Sequence, residues 1–162
     1  MKFDNFTQNM LAETDEKTPV IDLPRNTLDP VVFQFLDGDR LPILRDGIRA
    51  QVLHTVEQLS EVIPIRYFYI TGQVLTKSWH ENCDIDIQVE TDAELMDNLA
   101  VAEIMYNLRR LDGQLAVGST HKIRYHIHPG EVDQDEYQAI YDVSREMWIK
   151  TPEPMNLDVS AF

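Results

Sequence analysis

The alternation of apolar and polar residues in the middle of the chain predicts two β-strands joined by a glycine turn. A run of apolar and aromatic residues predicts the first strand over residues 65–70, and Gly72 follows it in a turn. Residues 84–89 then alternate with the period of two that is typical of a half-buried strand. Asp84 and Asp86 therefore lie on one face of the second strand, less than about 8 Å apart.

Apolar residues spaced by three and four positions predict helices around these strands. The first helix begins near Leu41 and ends at Pro64, the second reaches about Leu111, and a last helix covers residues 134–143. The stripe that the first helix turns toward the sheet comprises Leu41, Leu44, Ile48, Val52, Val56, Leu59 and Ile63. The predicted order is helix, strand, turn, strand, helix, strand, helix. It indicates an α+β fold, an α/β sandwich with a small mixed β-sheet flanked by helices.

A third strand, predicted over residues 123–128, has two chemically different faces. Ile123, Tyr125 and Ile127 alternate with Arg124, His126 and His128. The first set is apolar and the second is cationic or titratable, so the strand is expected to bury one face and present the other. Residues 115–117 and 148–149 predict two shorter strands, the latter at an edge of the sheet.

The distribution of polar residues predicts one folded domain with a polar segment at each end. Residues 1–26 are predicted to form an N-terminal arm or tail, and residues 155–162 a C-terminal tail. The domain itself is expected over residues 27–154, a length that can bury a core of its own.

Charge and cysteine content narrow the class of protein. The formal net charge of −14 argues against a broad nucleic-acid surface, which would need many Lys and Arg contacts to phosphates, but leaves room for one small basic pocket. The single cysteine, Cys83, is expected to face the core and has no partner for an internal disulfide, which indicates a reducing compartment. With no secretory signal and no apolar run of about 18 residues, a cytoplasmic protein without membrane contact is predicted.

Asp84 and Asp86 are the strongest candidates for chemistry. Aspartate is a poor strand former, so two in the centre of one strand indicate a function. Two carboxylates on one face can hold a hard cation such as Mg²⁺. The backbone N–H groups of a neighbouring glycine turn can bind the phosphates that the cation bridges.

Gly72, preceded by apolar strand residues and followed by Asp84-Ile85-Asp86, resembles the signature of the nucleotidyltransferase superfamily, whose fold is typified by the palm of DNA polymerase beta. The chain is most similar to small single-domain members from tailed phages and bacteria, which would place it in the host cytoplasm if it is phage-encoded. The resemblance covers residues 28–154. Its weaker matches are Leu28, Asp29, Pro30, Tyr141, Trp148, Ile149 and Pro152.

The resemblance implies an enzyme that transfers a nucleoside monophosphate from an NTP to an acceptor hydroxyl. Asp84 and Asp86 would be catalytic and would hold Mg²⁺ or Mn²⁺. Gly72, Gln73, Lys77 and Arg124 would bind the nucleotide. The acceptor, whether a protein, an RNA end or a small molecule, is open. Trp79 either stacks on the base or sugar or packs in the fold.

The chain departs from the superfamily pattern at two places. Gln73 stands where Gly or Ser is usual, and the position of the third carboxylate falls on Arg124 or His126. Three explanations stay open: the third carboxylate comes from elsewhere, for example Glu131; His126 replaces it as a catalytic residue; or the site does not run two-metal chemistry. In the last case the chain is a catalytically degenerate nucleotide-binding or protein-interaction module. An ion pair from Arg124 to Asp84 or Asp86 would favour that alternative.

Overall fold

The described part of the chain forms an α+β fold of two helices and two sheets. A computed structural model describes residues 25–38, 40–92, 99–111 and 113–153 of the 162 residues. Nearly all of the predicted N-terminal arm and the whole predicted C-terminal tail lie outside these residues. Neither of the described helices is long and apolar enough to cross a membrane.

Two helices separate three groups of strands along the chain. In chain order they are β1 (Phe33–Gln34), β2 (Ile43–Leu44), α1 (Asp46–Ser60), β3 (Ile65–Thr71), β4 (Ile85–Thr91), α2 (Leu99–Leu111), β5 (Gln114–Leu115), β6 (Lys122–Pro129), β7 (Ile140–Asp142) and β8 (Met147–Lys150). Short 3₁₀ turns at Gln73–Leu75 and Gln134–Glu136 follow β3 and β6.

Six of the strands form one mixed sheet in the order β5-β6-β4-β3-β7-β8, and β1 and β2 pair separately. The β4–β6 pair is parallel and the other pairs are antiparallel. In the parallel register Asp86 lies opposite Arg124, and Gln88 lies opposite His126. Since opposed residues point to the same face, the polar faces of β4 and β6 form one continuous surface.

The core lies between this sheet and α1. The predicted stripe is buried from Leu44 onward, whereas Leu41 is half-buried and precedes the helix. The buried residues belong to one core cluster with the apolar face of β4 and β6, which includes Ile87, Val89 and Ile123. On the opposite face a smaller cluster joins Tyr69, Val132 and Ile140. The segment after β6 therefore covers part of the polar face, and the rest stays open beside Asp86.

Two of the predicted helices differ from the structure. The first begins at Asp46 instead of near Leu41, because Ile43–Leu44 pairs with Phe33–Gln34 as a strand. The helix predicted over residues 134–143 was wrong. Only a 3₁₀ turn forms there, and Ile140–Asp142 is a strand that pairs with β3. A short apolar run is compatible with either a buried strand or a helix, and here the residues form a strand because they pair with β3.

The predicted strands agree with the structure. Residues 65–70 correspond to β3, and residues 123–128 form β6 with the expected alternation of buried and exposed side chains. The strand predicted over residues 84–89 begins one residue later as β4, so Asp84 directly precedes it. The strand predicted over residues 115–117 is shifted to Gln114–Leu115 as β5, and the strand predicted at residues 148–149 lies within the edge strand β8.

We expect Tyr141→Phe to lower the free energy of unfolding by about 1–3 kcal/mol, because it leaves a buried donor without an acceptor. Tyr141 is fully buried, and its hydroxyl accepts a hydrogen bond from the Leu44 N–H at 3.0 Å. Tyr106→Phe is the matched control, since Tyr106 is 63% exposed. Urea unfolding of both variants measures the difference. Equal stabilities would show that the hydrogen bond between β2 and β7 does not contribute to the free energy of unfolding.

Candidate functional site

An open groove of about 740 Å³ lies along the polar faces of β4 and β6, at the end of β3. Its charged and hydrogen-bonding lining includes Thr71, Asp86, Gln88, Arg109, Arg124, His126 and His128, and Leu108, Tyr125 and Ile127 contribute larger, mostly apolar side chains. Gly72 and Tyr137 also border it. The groove therefore combines the glycine turn, one aspartate of the pair and the polar face of β6.

Asp86 pairs with His126 at the centre of the groove. The Nε2 atom of His126 lies 3.0 Å from Oδ1 of Asp86, and the two side chains are 45% and 29% exposed. An ion pair or hydrogen bond with this exposure contributes little to stability, about 0–1 kcal/mol. The pair is thus open to competition from a ligand.

Asp84 forms a similar pair with Arg124. Each of these residues precedes its counterpart in the Asp86–His126 pair by two positions. The Arg124 Nη1 to Asp84 Oδ2 distance is 3.4 Å, with side chains 51% and 32% exposed. Asp84 is not part of the groove lining, whereas its partner is. The direction of Arg124, which the sequence left open, is therefore toward the acidic pair.

Hydrogen bonds link three side chains that line the groove, Thr71, Gln88 and His128. The Gln88 amide donates from Nε2 to the Thr71 hydroxyl at 3.0 Å, and its Oε1 lies against Nε2 of His128. Because an amide oxygen only accepts, His128 donates from Nε2. Burial lowers the pKa of His128 and the neighbouring His126 lowers it further, which favours the neutral ring. The three side chains tie β3, β4 and β6 together next to the turn.

Gly72 lies directly against the Asp86 side chain. Its backbone has φ +93° and ψ −165°, a conformation that is essentially restricted to glycine. A Cβ at this position would lie 2.6 Å from Oδ2 of Asp86. The glycine is therefore required twice, for its backbone and for the space that the Asp86 carboxylate occupies.

Gln73 and Lys77 lie outside the groove lining. The Gln73 side chain donates from Nε2 to the Ser78 carbonyl at 2.7 Å, which holds the loop after the turn. Lys77 is half-buried, and its carbonyl accepts from the Arg25 N–H. Both residues keep the shape of this loop, but the structure does not bring their side chains together with Asp86.

Trp79 packs in the fold. It is buried, its indole N–H donates to the Thr27 carbonyl at 2.8 Å, and the Arg25 guanidinium lies 4.1 Å from the centre of the ring. Of the two roles that the sequence left open, these contacts favour packing over stacking on a ligand. Cys83 is buried, as expected.

Among the described residues that line the groove, Asp86 is the one carboxylate. Glu131 is exposed outside it, and the buried Glu90 accepts from the Val132 N–H at 2.8 Å. In the described ranges, no group of three or more His, Cys, Asp and Glu side chains could hold a metal ion. A cation would therefore find two carboxylate donors here, the oxygen ligands that suit Mg²⁺ and Mn²⁺.

The sequence did not single out Arg109 or Tyr137 as groove residues. Arg109 belongs to the last turn of α2, where a cation complements the helix dipole, and this position is the signal that could have identified it. Tyr137 fell within the wrongly predicted last helix. Burial raises its pKa, with Glu136 and Asp86 adding to the increase, so the phenol stays protonated and able to donate.

Comparison of the chain with protein-family models, with curated proteins and with solved structures gives no significant match. The resemblance to nucleotidyltransferases therefore depends on the spacing of Gly72, Asp84 and Asp86 and on the elements that carry them.

Proposed function

We propose that the groove binds a nucleoside triphosphate and that the chain transfers its nucleoside monophosphate to an acceptor hydroxyl, with release of pyrophosphate. The observation that carries this proposal is the contact between the Gly72 turn and the Asp86 carboxylate. It brings the glycine turn against one aspartate of the acidic pair in an open groove, and the other aspartate, Asp84, precedes it by two residues.

The two aspartates fit a divalent cation. Asp86 is on β4 and Asp84 directly precedes it, both carboxylates are about one-third exposed, and Asp84 and Asp86 would supply the protein ligands of the cation. A bound Mg²⁺ or Mn²⁺ would neutralise the charge that develops on the phosphates during transfer. The existing ion pairs do not prevent this, because exposed pairs contribute at most about 1 kcal/mol.

Arg124 and His126 have roles in this proposal that do not need a third carboxylate. A guanidinium released from Asp84 is well shaped to bind a phosphate through two parallel hydrogen bonds. His126 occupies the position of the missing carboxylate and contacts Asp86, so its ring is placed to exchange a proton with an acceptor hydroxyl. Gln73 and Lys77 would act by holding the loop beside the Gly72 turn.

A catalytically degenerate nucleotide-binding or protein-interaction module is the second candidate. One observation favours it: both carboxylates are paired with basic side chains, and the described lining of the groove adds no carboxylate to Asp86. In that case a nucleotide would bind without a cation, or a protein would occupy the groove. The acceptor in the first candidate is a protein, an RNA end or a small molecule, and we propose a cytoplasmic setting for either.

Calorimetric titration with a panel of NTPs in Mg²⁺ and Mn²⁺ tests the proposed site. We expect cation-dependent binding to wild type that weakens by about tenfold or more, equivalent to about 1.4 kcal/mol, in the double variant Asp84→Asn, Asp86→Asn. The matched control is Asp37→Asn, Asp135→Asn, which removes the same charge from exposed positions outside the groove. The control is expected to bind like wild type.

Pyrophosphate release in the presence of candidate acceptors separates the two candidates. Cation-dependent binding with pyrophosphate release would support transfer. Cation-independent binding that the Asp84→Asn, Asp86→Asn variant retains, without pyrophosphate release, would contradict transfer and support the degenerate module. An absence of NTP binding in either metal would contradict nucleotide binding altogether.

A further inference from the structure

In the described part of the chain, one edge of β6 is unpaired over most of its length. β4 pairs with β6 from Ile123 to Pro129, whereas on the other side the described strand β5 pairs only with Lys122 and Ile123. A strand edge presents backbone N–H and C=O groups that another strand can bind. Residues 124–129 therefore form a stretch of about 20 Å that can accept a further strand.

The backbone groups that point outward from this edge belong to Tyr125 and Ile127. At the end of the parallel pair, the Gly130 N–H donates to the Thr91 carbonyl at 2.9 Å. Since residues of a strand alternate in the direction of their backbone groups, the even-numbered residues of β6 bond to β4 and the odd-numbered ones point away. Ile123, the first odd-numbered residue of β6, is accordingly paired with β5. Tyr125 and Ile127 have no such partner strand among the described residues.

The groove extends from the polar face of the sheet around this edge. Its lining includes every residue from Arg124 to His128. Successive side chains of a strand point to opposite faces, so a cavity that all five residues line passes around an edge of the strand. The edge toward β4 is paired, which leaves the outer edge. Leu108 and Arg109 of α2 line the same cavity and bound the space on the helix side.

We infer that an extended polypeptide segment of another protein binds along this edge and adds a strand to the sheet. Its backbone forms hydrogen bonds with Tyr125 and Ile127, the mode by which peptides extend an exposed sheet edge. Its side chains then alternate between the two sides of the edge. On one side they meet the apolar side chains of β6 and Leu108, and on the other side they lie beside His126.

The position of the edge favours a peptide in which apolar residues flank a hydroxyl-bearing one. A peptide residue opposite His126 points to the same face as His126, with its Cβ about 5 Å away. A serine, threonine or tyrosine there brings its hydroxyl next to the ring that contacts Asp86. The acceptor role of this peptide rests on the proposed function. The hydroxyl oxygen bonds to the α-phosphorus, its proton passes to His126, and the bond from the α-phosphorus to the leaving pyrophosphate breaks.

A polypeptide suits this edge better than a nucleic acid or a second copy of the chain. A sugar-phosphate backbone has no N–H groups at the spacing of a strand, and the net charge of −14 opposes its phosphates. The same net charge on two copies makes them repel each other. Of the acceptors that the proposed function leaves open, the edge therefore selects a protein segment.

Amide hydrogen exchange, followed by NMR for each residue, tests the edge. In the free protein, the N–H groups of Tyr125 and Ile127 are expected to exchange about tenfold or more faster than those of His126 and His128, which bond to β4. The probes are capped heptapeptides with serine, threonine or tyrosine at the centre, valine on both sides of it and polar ends. At millimolar peptide we expect about tenfold or more protection of the two outward N–H groups.

Two matched pairs control the experiment. Peptides N-methylated at the amides that face β6 are expected to give no protection, whereas methylation of the alternate amides leaves it. Ile127→Pro removes an outward N–H, which proline can replace at a strand edge, and is expected to abolish peptide protection at Tyr125. Ile127→Val keeps the N–H and is expected to behave like wild type.

The outcomes separate this inference from the proposed function. Slow exchange of the outward N–H groups in the free protein would overturn the open edge, and protection that grows with protein concentration would assign the edge to a second copy. No protection by any peptide, or equal effects of the two methylated sets, would overturn peptide binding. Peptide protection without peptide-dependent pyrophosphate release from NTP would contradict transfer alone. Pyrophosphate release with another acceptor, by a protein that binds no peptide, would overturn the inference alone.

Discussion

Replacement of Gly72 by alanine is expected to abolish cation-dependent nucleotide binding and to destabilise the fold. Two effects combine at this residue. A side chain at φ +93° and ψ −165° costs about 1–3 kcal/mol in backbone strain. The new Cβ would also lie 2.6 Å from the Asp86 carboxylate, which would have to move out of the place where it meets the turn. Such overpacking costs roughly another 1–3 kcal/mol.

Gly113→Ala is a matched control for the cost of backbone strain. Gly113 also has φ +93°, but no atom lies within 4 Å of the position of its Cβ. We expect Gly113→Ala to lower stability in urea unfolding by the strain alone and to leave NTP titrations unchanged. Gly72→Ala should be the less stable of the two and should fail to bind. If Gly72→Ala binds NTP as well as the control does, the contact with Asp86 has no part in the site.

The strands that carry the site could be predicted because their pattern is local. The alternation in residues 84–89 and 123–128 fixes which side chains share a face, whatever the rest of the chain does. The structure places Asp86 on the polar face of β4 and Asp84 directly before this strand, and it places Arg124 and His126 on the matching face of β6. Burial of the opposite, apolar faces holds this orientation, since a shift by one residue would expose the core.

The partners within the site could not be predicted, because they depend on the register between distant strands. Asp84 meets Arg124 and Asp86 meets His126 through the parallel pairing of β4 with β6, which local patterns do not specify. The last predicted helix failed for the same reason. Its residues 140–142 form a strand only because β3, far away in sequence, offers an edge for pairing.

The position of Arg109 in the groove could not be predicted for a related reason. The periodicity of α2 identifies Leu108 as an inward residue, and the next residue then lies away from the centre of the buried stripe. Whether an exposed arginine faces solvent or a functional groove depends on how the helix sits against β6. That position is set by tertiary packing, so the composition of the groove emerges only with the fold.

A buried ion pair between His121 and Asp29 lies near the start of the two strands that carry the site. A substitution in this pair is expected to have a large effect on stability. The Nε2 atom of His121 lies 2.5 Å from Oδ2 of Asp29, and the side chains are only 2% and 4% exposed. The other ring nitrogen, Nδ1, lies 2.7 Å from the Cys83 carbonyl. Because both partners are acceptors, the ring carries both protons and donates from each nitrogen. His121 directly precedes β6, and Cys83 directly precedes Asp84.

We expect Asp29→Asn to lower the free energy of unfolding at pH 6 by about 3–5 kcal/mol, the usual cost of removing one partner of a buried ion pair. The amide keeps the shape and can still accept the Val31 N–H that bonds Asp29 Oδ1 at 2.9 Å. It removes only the charge opposite His121. Asp37→Asn, at an exposed position, is expected to have little effect and controls for the loss of a carboxylate.

The pH dependence identifies the pair more specifically than the stability alone. Burial by itself would lower the pKa of His121, but the hydrogen bonds to Asp29 and Cys83 outweigh it and raise the pKa from 6.5 to about 10. A pKa that is higher in the folded state gives stability that is complete below pH 6.5 and is lost as the pH rises through about 10. Wild type should therefore lose stability across this window in urea unfolding at pH 6, 8 and 10, and Asp29→Asn should show a flatter profile. Equal slopes in the two proteins would mean that His121 is not charged in the folded state and that the stability of the two strand starts has another source.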